Sequence, residues 1–422
     1  MGPGHHARRY RAFRYHEQVR SRGFLLPCLL LSVIPVAAAA PPHGTVVSSQ
    51  ALGIVSTAEI EGQAPGFFEM YPVPPMLFAV DSFILHFTSE DFDGTAVQVK
   101  SQAFIPRGEG DLPILVFGSG TTGLADACAP SLEKPEVRRL GWYTANMLSY
   151  AAQGFIVILP DYIGFNDSAR IQRYFSKAAE AHVMLDAARA AKAFVAATGG
   201  AVRAASRVFV AGYSQGGHAA FSAADLRGAY APEVPLAGVI GFGATCDVTT
   251  LLREGPVYAP FLLYAWQQMY GTADVDPSAV LDGRWAATLE TDAARMCVDE
   301  FQVYYPADTS RLYHTSFLQA LNNNRVASIL PRLAARLQEN MAGLSGHGLP
   351  ALVVQGNQDI VVTTASQDRF VAALRAAGSP VRYLALDGVR HRYTRPAGFS
   401  TSVDWMRALS RGEPAPSDGR MP

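Results

Sequence analysis

Residues 207–220, with the sequence RVFVAGYSQGGHAA, decide the fold. An apolar run ends at Gly212 and Ser214 follows, which predicts a strand, a tight turn and the start of a helix. The segment matches G-x-S-x-G, in which a strained turn exposes the serine hydroxyl above the end of a sheet. Glycines are needed there because strand and helix pass too closely for a Cβ. A chance match is the alternative in a chain with 37 glycines, but the flanking strand and Ala-rich helix favour the turn.

Short apolar runs alternate with helical patterns from residue 112 onward. This alternation predicts right-handed crossovers and a largely parallel sheet, an α/β fold. Functional sites of such sheets lie outside the carboxyl ends of the strands. The predicted strands are 113–117, 155–159, 207–211, 236–241, 351–355 and 381–386, and the predicted helices lie near 136–152, 176–197, 215–228 and 363–377.

The remaining segments predict how the chain is divided. Residues 82–89 and 95–105 flank Asp-Gly turn chemistry and predict an antiparallel hairpin, whereas residues 41–80 predict an irregular arm. Helical pattern and aromatic residues over 247–349 predict a cap inserted at the catalytic edge of the sheet. The predicted divisions are a signal over 1–40, a core over 41–246 and 350–411, a cap over 247–349 and a disordered tail over 412–422.

The N-terminus has the order of a secretory signal: an arginine-rich stretch, the apolar run 23–36 and four alanines. A membrane anchor is the alternative, but the run is shorter than the roughly 20 residues that span a bilayer. We therefore expect a secreted or periplasmic protein without stable membrane insertion, and contact with a lipid interface stays open.

The charge of the chain argues against a nucleic-acid partner. Formal net charge is −1, and six arginines and one glutamate in the first forty residues contribute +5, which leaves about −6 for the rest. No basic surface is therefore expected. The sequence leaves the oligomeric state open.

Three cysteines follow the predicted signal: Cys128, Cys246 and Cys297. They lack the spacing of a zinc site, so no metal is predicted. The Gly-rich loop 118–123 lacks the Lys-Ser/Thr ending of a phosphate-binding loop, and no cofactor is predicted. One disulfide and one buried thiol are the simplest arrangement in an oxidising compartment.

A serine hydroxyl becomes a nucleophile when a base lies within hydrogen-bond reach and a carboxylate orients that base. In this architecture the chain order is Ser, then Asp or Glu, then His. Asp359 follows the strand 351–355 and His391 follows the strand 381–386, so both are placed at the catalytic edge. We predict a triad of Ser214, Asp359 and His391.

Other titratable residues compete for these roles. His218 lies one helical turn beyond Ser214 and is predicted to be a packed helix residue, whereas His347 precedes a strand and falls at the opposite edge. Asp387 competes with Asp359, but its Asp-Gly turn is expected to order the loop of His391. The triad prediction therefore keeps Asp359.

Hydrolysis of an ester or amide passes through an oxyanion, and each preorganised donor to that oxygen contributes about 3 kcal/mol. The backbone N–H of Gln215, the residue after the nucleophile, is the first predicted donor. The second is expected from the loop 118–123, GSGTTG, which follows a strand.

With these residues placed, the chain resembles the α/β-hydrolase superfamily and, within it, the secretory lipase family of the yeast lipase A type. The resemblance spans roughly residues 80–405. The segments that carry it are GSGTTG at 118–123 leading into CAPS at 128–131, PDYIG at 160–164, GYSQGG at 212–217 and GNQDIVV at 356–362.

The resemblance implies an α/β-hydrolase fold: a mostly parallel central sheet flanked by helices, with an inserted helical cap over an acyl-binding tunnel. It implies a lipase or carboxylesterase and a small-molecule or lipid ester as substrate. It also implies that Thr121 or Thr122 assists the backbone oxyanion donors. Asp161 and Tyr162 are expected to brace a loop.

The cysteine pairing is also implied by the resemblance. In the family the cysteine of the CAPS segment pairs with one in the cap, which gives Cys128 and Cys297. The predicted placement of both at the same sheet edge agrees with this pairing. Cys246 is then the buried thiol.

The aromatic residues of the cap and the turn predict an apolar acyl pocket. Tyr213, Phe261, Tyr264 and Trp266 are the candidate lining residues. The alternative for any one cap aromatic is the cap's own core.

Other functions on the same fold are kept as alternatives. A serine peptidase or amidase shares the acylation chemistry. A non-catalytic binding protein is less favoured, because such proteins usually lose a triad residue and none is missing here. Fold analogy alone does not establish activity. The hypothesis is a secreted serine hydrolase of carboxylic esters.

Overall fold

A computed structural model describes Met1 and residues 42–414. Residues 2–40 of the predicted secretory signal and residues 415–422 of the predicted tail lie outside the described residues. Among the described residues, no helix is long and apolar enough to cross a membrane.

The centre of the fold is a nine-stranded sheet. Its strands are β1 (Val46–Val55), β2 (Val80–Glu90), β3 (Ala96–Pro106), β4 (Gly110–Gly118), β5 (Ile156–Pro160), β6 (Val202–Tyr213), β7 (Leu236–Phe242), β8 (Ala351–Gly356) and β9 (Val381–Leu386). Their order across the sheet is β1-β2-β3-β5-β4-β6-β7-β8-β9. The neighbouring pairs β1–β2, β2–β3 and β3–β5 are antiparallel. The five remaining pairs, from β5–β4 to β8–β9 across the sheet, are parallel. The predicted mostly parallel sheet is confirmed.

Helices alternate with these strands along the chain and fill the interval between β7 and β8. They are α1 (Thr57–Phe68), α2 (Tyr143–Ala151), α3 (Lys177–Thr198), α4 (Gln215–Tyr230), α5 (Val248–Glu254), α6 (Ala259–Tyr270), α7 (Gly283–Ala286), α8 (Leu289–Arg295), α9 (Val298–Tyr304), α10 (Thr309–Leu312), α11 (Thr315–Asn322), α12 (Val326–Ile329), α13 (Pro331–Glu339), α14 (Thr364–Ala376) and α15 (Thr394–Ser410).

The parallel strands carry the site because their carboxyl ends meet at one edge. β5 and β8 are buried along their whole length, as expected of parallel strands covered on both faces. β4 and β6 end together, with Gly118 opposite Gly212. β8 and β9 also end together, with Gly356 opposite Leu386. Loops after these strands therefore converge.

The irregular arm predicted over 41–80 is wrong for most of its length. β1 pairs antiparallel with β2 as an edge strand, but its side chains are mostly exposed, so it lacks the alternation of a half-buried strand. α1 begins with a capping box between Ser56 and Glu59, a sequence signal for a helix start. Phe68 of α1 packs edge-on against Phe399, with ring centroids 5.1 Å apart.

α15 was not among the predicted helices. It follows His391 and buries Phe399, Trp405 and Met406 within the core of the sheet. Phe399, Val403 and Met406 are four, three and seven positions apart, so the helical period was present in the sequence.

The interval between the adjacent strands β7 and β8 is helical, as the sequence predicted. It contains α5 to α13 and no strand, and the structure describes all of its residues. Its apolar side chains form a cluster of their own, which includes Phe261, Trp266 and Phe317. The inserted helical cap is thus part of the observed fold.

A disulfide joins the cap to the loop after β4. Cys128 and Cys297 are bonded, with Cα atoms 5.5 Å apart across 169 residues of sequence. Cys246 is free and buried, and burial raises the pKa of its thiol well above the usual value. The predicted pairing and the predicted buried thiol are both present.

We expect the double variant Cys128→Ser/Cys297→Ser to lose stability, because the bond closes a long loop in the unfolded chain. The loss has an upper bound of about 4 to 5 kcal/mol in the chain-entropy model. Urea unfolding measures it, and Cys246→Ala is the control that removes an unbonded thiol. Non-reducing peptide mapping that shows Cys128 linked to Cys246 would contradict the assignment.

Candidate active site

Ser214 occupies a strained turn between β6 and α4. Its φ is 54° and its ψ −113°, a conformation that costs a residue with a Cβ roughly 1–3 kcal/mol. A Cβ on Gly212 would lie 1.9 Å from the carbonyl oxygen of Gly216, and a Cβ on Gly216 would lie 1.9 Å from that of Gly118. The glycines around Ser214 are therefore required by backbone contact, as the sequence predicted.

The two other predicted triad residues are hydrogen-bonded to each other. His391 Nδ1 donates to Asp359 Oδ2 over 2.6 Å. Asp359 Oδ1 accepts from the backbone N–H groups of Val361 and Val362, both at 2.9 Å. The Nε2 atom of His391 is buried and has no hydrogen-bond partner among the described residues. His391 and Ser214 line the same cavity.

Gly243 makes room for this pair. Its φ is +53°, and a Cβ there would lie 2.9 Å from His391 Nδ1 and 3.3 Å from Asp359 Oδ2. Sequence reasoning missed this residue, although the GFG run at 241–243 was a visible signal. A side chain at this position would displace the imidazole or the carboxylate.

The competing residues are engaged elsewhere. His218 is fully buried, and its ring nitrogens contact Glu180 Oε2 at 2.6 Å and the carbonyl oxygen of Asn340 at 2.7 Å. Asp387 is exposed and accepts from Asn357 Nδ2 at 2.9 Å. His347 Nδ1 accepts from the backbone of Leu349 at 3.0 Å. None of the three lines the cavity of Ser214.

Glu180 binds the side chains of Gln215 and His218, which follow Ser214 in α4. The sequence did not reveal this role. Its Oε1 accepts from the side-chain amide of Gln215 at 2.8 Å and from the backbone N–H of Phe175 at 3.0 Å. With His218 on Oε2, the carboxylate is buried and fully engaged. The side chain of Gln215 is thus fixed, while its backbone N–H belongs to the first turn of α4, where helical N–H groups have no partner within the helix.

The Gly-rich loop 118–123 is held by tyrosine hydroxyls. Tyr143 accepts from the N–H of Gly120 at 2.7 Å, and Tyr162 donates to the carbonyl of Ser119 at 2.8 Å. Burial raises the pKa of Tyr143 to about 12, so its hydroxyl is neutral. The loop is therefore preorganised by buried neutral groups.

The two loop threonines are placed differently. Thr121 lines the cavity of Ser214, and its hydroxyl lies 2.7 Å from that of Tyr174. Thr122 is buried, and its carbonyl accepts from the N–H of Val298 in the cap at 2.8 Å. Thr122 is not among the residues that line the cavity.

Asp161 joins the two family segments that contain it and Ser131. Its carboxylate accepts from the backbone N–H of Ser131 at 3.0 Å, from its hydroxyl at 2.6 Å and from Asn166 Nδ2 at 2.8 Å. Asp161 and Tyr162 thus brace loops, as expected.

The cavity beside Ser214 has a volume of about 230 Å³. Tyr213 lines it, with its ring centroid 5.0 Å from that of His391. Sequence reasoning missed most of the other lining residues, which are Phe67, Glu69, Arg139, Leu140, Gly141, Trp142, Tyr258, Val298, Gln302, Arg392, Tyr393 and Arg395.

The cap aromatics predicted to line an acyl pocket do not reach this cavity. Phe261 is buried against Phe301, with ring centroids 4.3 Å apart. Trp266 is buried and donates from Nε1 to the carbonyl of Tyr174 at 2.9 Å. Tyr264 lines a separate cavity. Phe261 and Trp266 belong to the apolar core of the cap, and Tyr264 packs against that core, because α6 turns its apolar face toward the other cap helices.

No group of three or more His, Cys, Asp or Glu side chains that could hold a metal ion occurs in the described part of the chain. The cavity itself offers a serine, an imidazole bonded to a carboxylate, and polar donors.

Solved structures share this fold at low sequence identity. The rice cell wall degrading esterase LipA from Xanthomonas oryzae is 19% identical, with a TM-score of 0.68, and the match covers 88% of this chain and 98% of that one. Candida antarctica lipase A is 20% identical, with a TM-score of 0.66, covering 90% and 86%. Its closed state is 21% identical, with a TM-score of 0.63 and the same coverage. These similarities establish the α/β-hydrolase fold.

Comparison with curated protein sequences found no match. The profile of the secretory lipase family does match, over residues 143–418. This range includes the segments 160–164, 212–217 and 356–362, whereas the loop 118–123 and Cys128 precede it. Since the match covers more than half of the 422 residues, the chain belongs to the secretory lipase family.

Proposed function

We propose that this carboxylic ester hydrolase acts through an acyl-enzyme on Ser214, with His391 as general base and acid and Asp359 orienting the imidazole. One observation carries the proposal. His391 is bonded to Asp359 through Nδ1 at 2.6 Å, while its buried Nε2 is unpartnered in the described chain and Ser214 lines the same cavity.

The steps follow from this arrangement. Ser214 Oγ attacks the ester carbonyl carbon and its proton passes to His391 Nε2, which gives a tetrahedral oxyanion. The carbon–oxygen bond to the alcohol breaks, and the alcohol leaves with that proton. A water molecule then attacks the acyl-enzyme, and His391 takes a proton from the water and returns it to Ser214. Acid, alcohol and free enzyme result.

Asp359 keeps the base in the required form. Its two backbone N–H bonds hold the carboxylate in place, and its bond to Nδ1 fixes the tautomer that leaves Nε2 free to accept a proton. The carboxylate also stabilises the imidazolium that forms during attack. It need not accept a proton itself.

For the oxyanion hole we propose the backbone N–H of Gln215 and the loop 118–123. Thr121 is preferred over Thr122 as the assisting side chain because only Thr121 lines the cavity. The N–H of Gly120 is already bonded to Tyr143, so the donor from the loop would come from its neighbours. Donors fixed before the reaction stabilise the transition state without reorganisation.

Export through the predicted signal over residues 1–40 is also proposed. A disulfide is stable in an oxidising compartment, and its presence between Cys128 and Cys297 supports that route.

We expect Ser214→Ala to lower kcat/KM for p-nitrophenyl butanoate by at least about 10⁴-fold, because the nucleophile is lost. Ser222→Ala is the matched control. Ser222 is a buried serine of α4, the helix that begins directly after Ser214, and its hydroxyl has no partner in the described chain. Circular dichroism checks folding. Activity of Ser214→Ala near that of the control would refute the assignment.

The acid of the triad is tested by a pair of isosteric variants. Asp359→Asn should lower kcat severely, while keeping about 10²-fold more activity than His391→Ala, because the nucleophile and the base both remain when only the orienting carboxylate is lost. Asp387→Asn should stay close to the parent, since Asp387 is exposed, accepts a hydrogen bond from Asn357 in the loop after β8 and does not line the cavity of Ser214. A larger loss in Asp387→Asn than in Asp359→Asn would show that the acid is misassigned.

A further inference from the structure

Arg395 is a buried arginine beside the candidate nucleophile. It lies in the first turn of α15, four residues after His391, and is only 5% exposed. Its side chain lines the cavity that contains Ser214 and His391. The mechanism proposed above gives it no role.

The surroundings of this guanidinium are mainly aromatic. It lies over the rings of Tyr213, Tyr143 and Phe67, at 4.4, 5.0 and 5.4 Å from their centroids. Its hydrogen bonding is sparse: Nη1 contacts Asn146 Oδ1 at 3.4 Å, and the buried Nε has no partner among the described residues. Within residues 42–414 it forms no ion pair.

The nearby carboxylates are committed to other groups. Glu69, on the cavity wall, accepts from Arg392 at 3.0 Å and from the hydroxyl of Tyr393 at 2.9 Å. Asp359 is bonded to His391 and to two backbone N–H groups. Glu133 accepts four backbone N–H bonds from residues 140–143. None of these three carboxylates is therefore bonded to Arg395.

A buried cation without an anion is costly, because its hydration is lost and not replaced. The aromatic faces offset part of this cost, but they do not satisfy the N–H donors. A carboxylate that entered the cavity would meet a desolvated, planar donor, the geometry that guanidinium groups bind best.

A second arginine strengthens the same conclusion. Arg139 also lines the cavity, is exposed, and has no acidic partner in the described chain. The lining therefore contains three arginines, of which only Arg392 is paired with the single lining carboxylate, Glu69. An excess of positive charge in a cleft attracts anionic substrates.

We propose that Arg395 is a specificity-determining residue that binds the free carboxylate of an anionic ester substrate. The inference rests on the proposed function, because it assumes that the ester is cleaved at Ser214. The carboxylate can belong to the acyl part, as in a half-ester of a dicarboxylic acid, or to the alcohol part, as in an ester of a hydroxy acid. The recognised group is the same in both.

The test compares matched ester pairs. For the acyl side, monoethyl adipate is compared with ethyl hexanoate, and for the alcohol side, 4-(butanoyloxy)butanoate with butyl butanoate. The ratio of kcat/KM for the anionic ester to that for its neutral partner is measured in the parent, Arg395→Gln and Arg395→Lys. Arg407→Gln is the control, because Arg407 lies on the same helix, bonds to Gln153 and does not line the cavity.

We expect the parent to favour the anionic ester of at least one pair. Arg395→Gln should lower that ratio by about ten- to a hundredfold, the range for a hydrogen bond to a charged group. Arg395→Lys should lower the ratio less, since the positive charge stays while the planar, paired N–H donors of the guanidinium are lost. Arg407→Gln should leave the ratio unchanged. The pair that responds identifies which part of the substrate carries the carboxylate.

Two results would overturn the inference. One is a parent without preference for the anionic ester in either pair, and the other is an equal loss on both members of a pair in Arg395→Gln, which would mark a structural support for the site. If Ser214→Ala retained activity on the neutral esters, the proposed function would fail instead.

A measurement on the parent keeps the test valid should Arg395→Gln fail to fold. Adipate should inhibit hydrolysis of ethyl hexanoate competitively and more strongly than 1,6-hexanediol, and added salt should weaken this inhibition because it screens charges. Equal inhibition by the two compounds at all salt concentrations would count against the proposal.

Discussion

The contact between backbones at Gly118, Gly212 and Gly216 is the constraint on which the rest of the structure depends. A single methyl group on Gly212 or Gly216 would overlap a carbonyl oxygen at 1.9 Å. Because the strands and α4 approach this closely, the intervening turn is tight enough to hold Ser214 at positive φ. The hydroxyl therefore lies at the sheet edge where β8 and β9 also end, and where Asp359 and His391 follow them.

A buried hydrogen bond and a disulfide are among the contacts that tie the cap to the region around this turn. His218, in the first turns of α4, contacts the carbonyl of Asn340 at the end of α13. The disulfide from Cys128 to Cys297 joins the loop after β4 to the start of α9. One connection is a buried hydrogen bond and the other is covalent. Together they fix the cap relative to the nucleophile and to the Gly-rich loop without using any of the predicted catalytic side chains.

The wall of the cavity is polar because of where its segments come from. Arg139 precedes the segment 140–143 that Glu133 holds, and Glu69 lies at the end of α1. The turn after β9 and the start of α15 contribute Arg392 and Arg395. The cap contributes Tyr258, Val298 and Gln302. Its large apolar side chains are used to pack its own helices. The cavity beside Ser214 is thus small and lined by several charged side chains, and α6 does not contribute to its lining.

The sequence by itself determined what local patterns encode. Alternating strands and helices predicted the parallel sheet, and the glycines around Ser214 predicted the strained turn. The positions of Asp359 and His391 after strands placed them at one edge. These signals depend on neighbours a few residues away, or on the rule that parallel strands end together.

Only the tertiary structure decided which side chains face the cavity. It separated Thr121 from Thr122, put Phe261 and Trp266 in the cap's core, and placed Arg395 over three aromatic rings. The physical reason is that such contacts depend on packing between segments far apart in the chain, and an apolar or charged residue type does not specify its partner. The capping box of α1 was legible locally, but the contribution of that helix to the cavity was not.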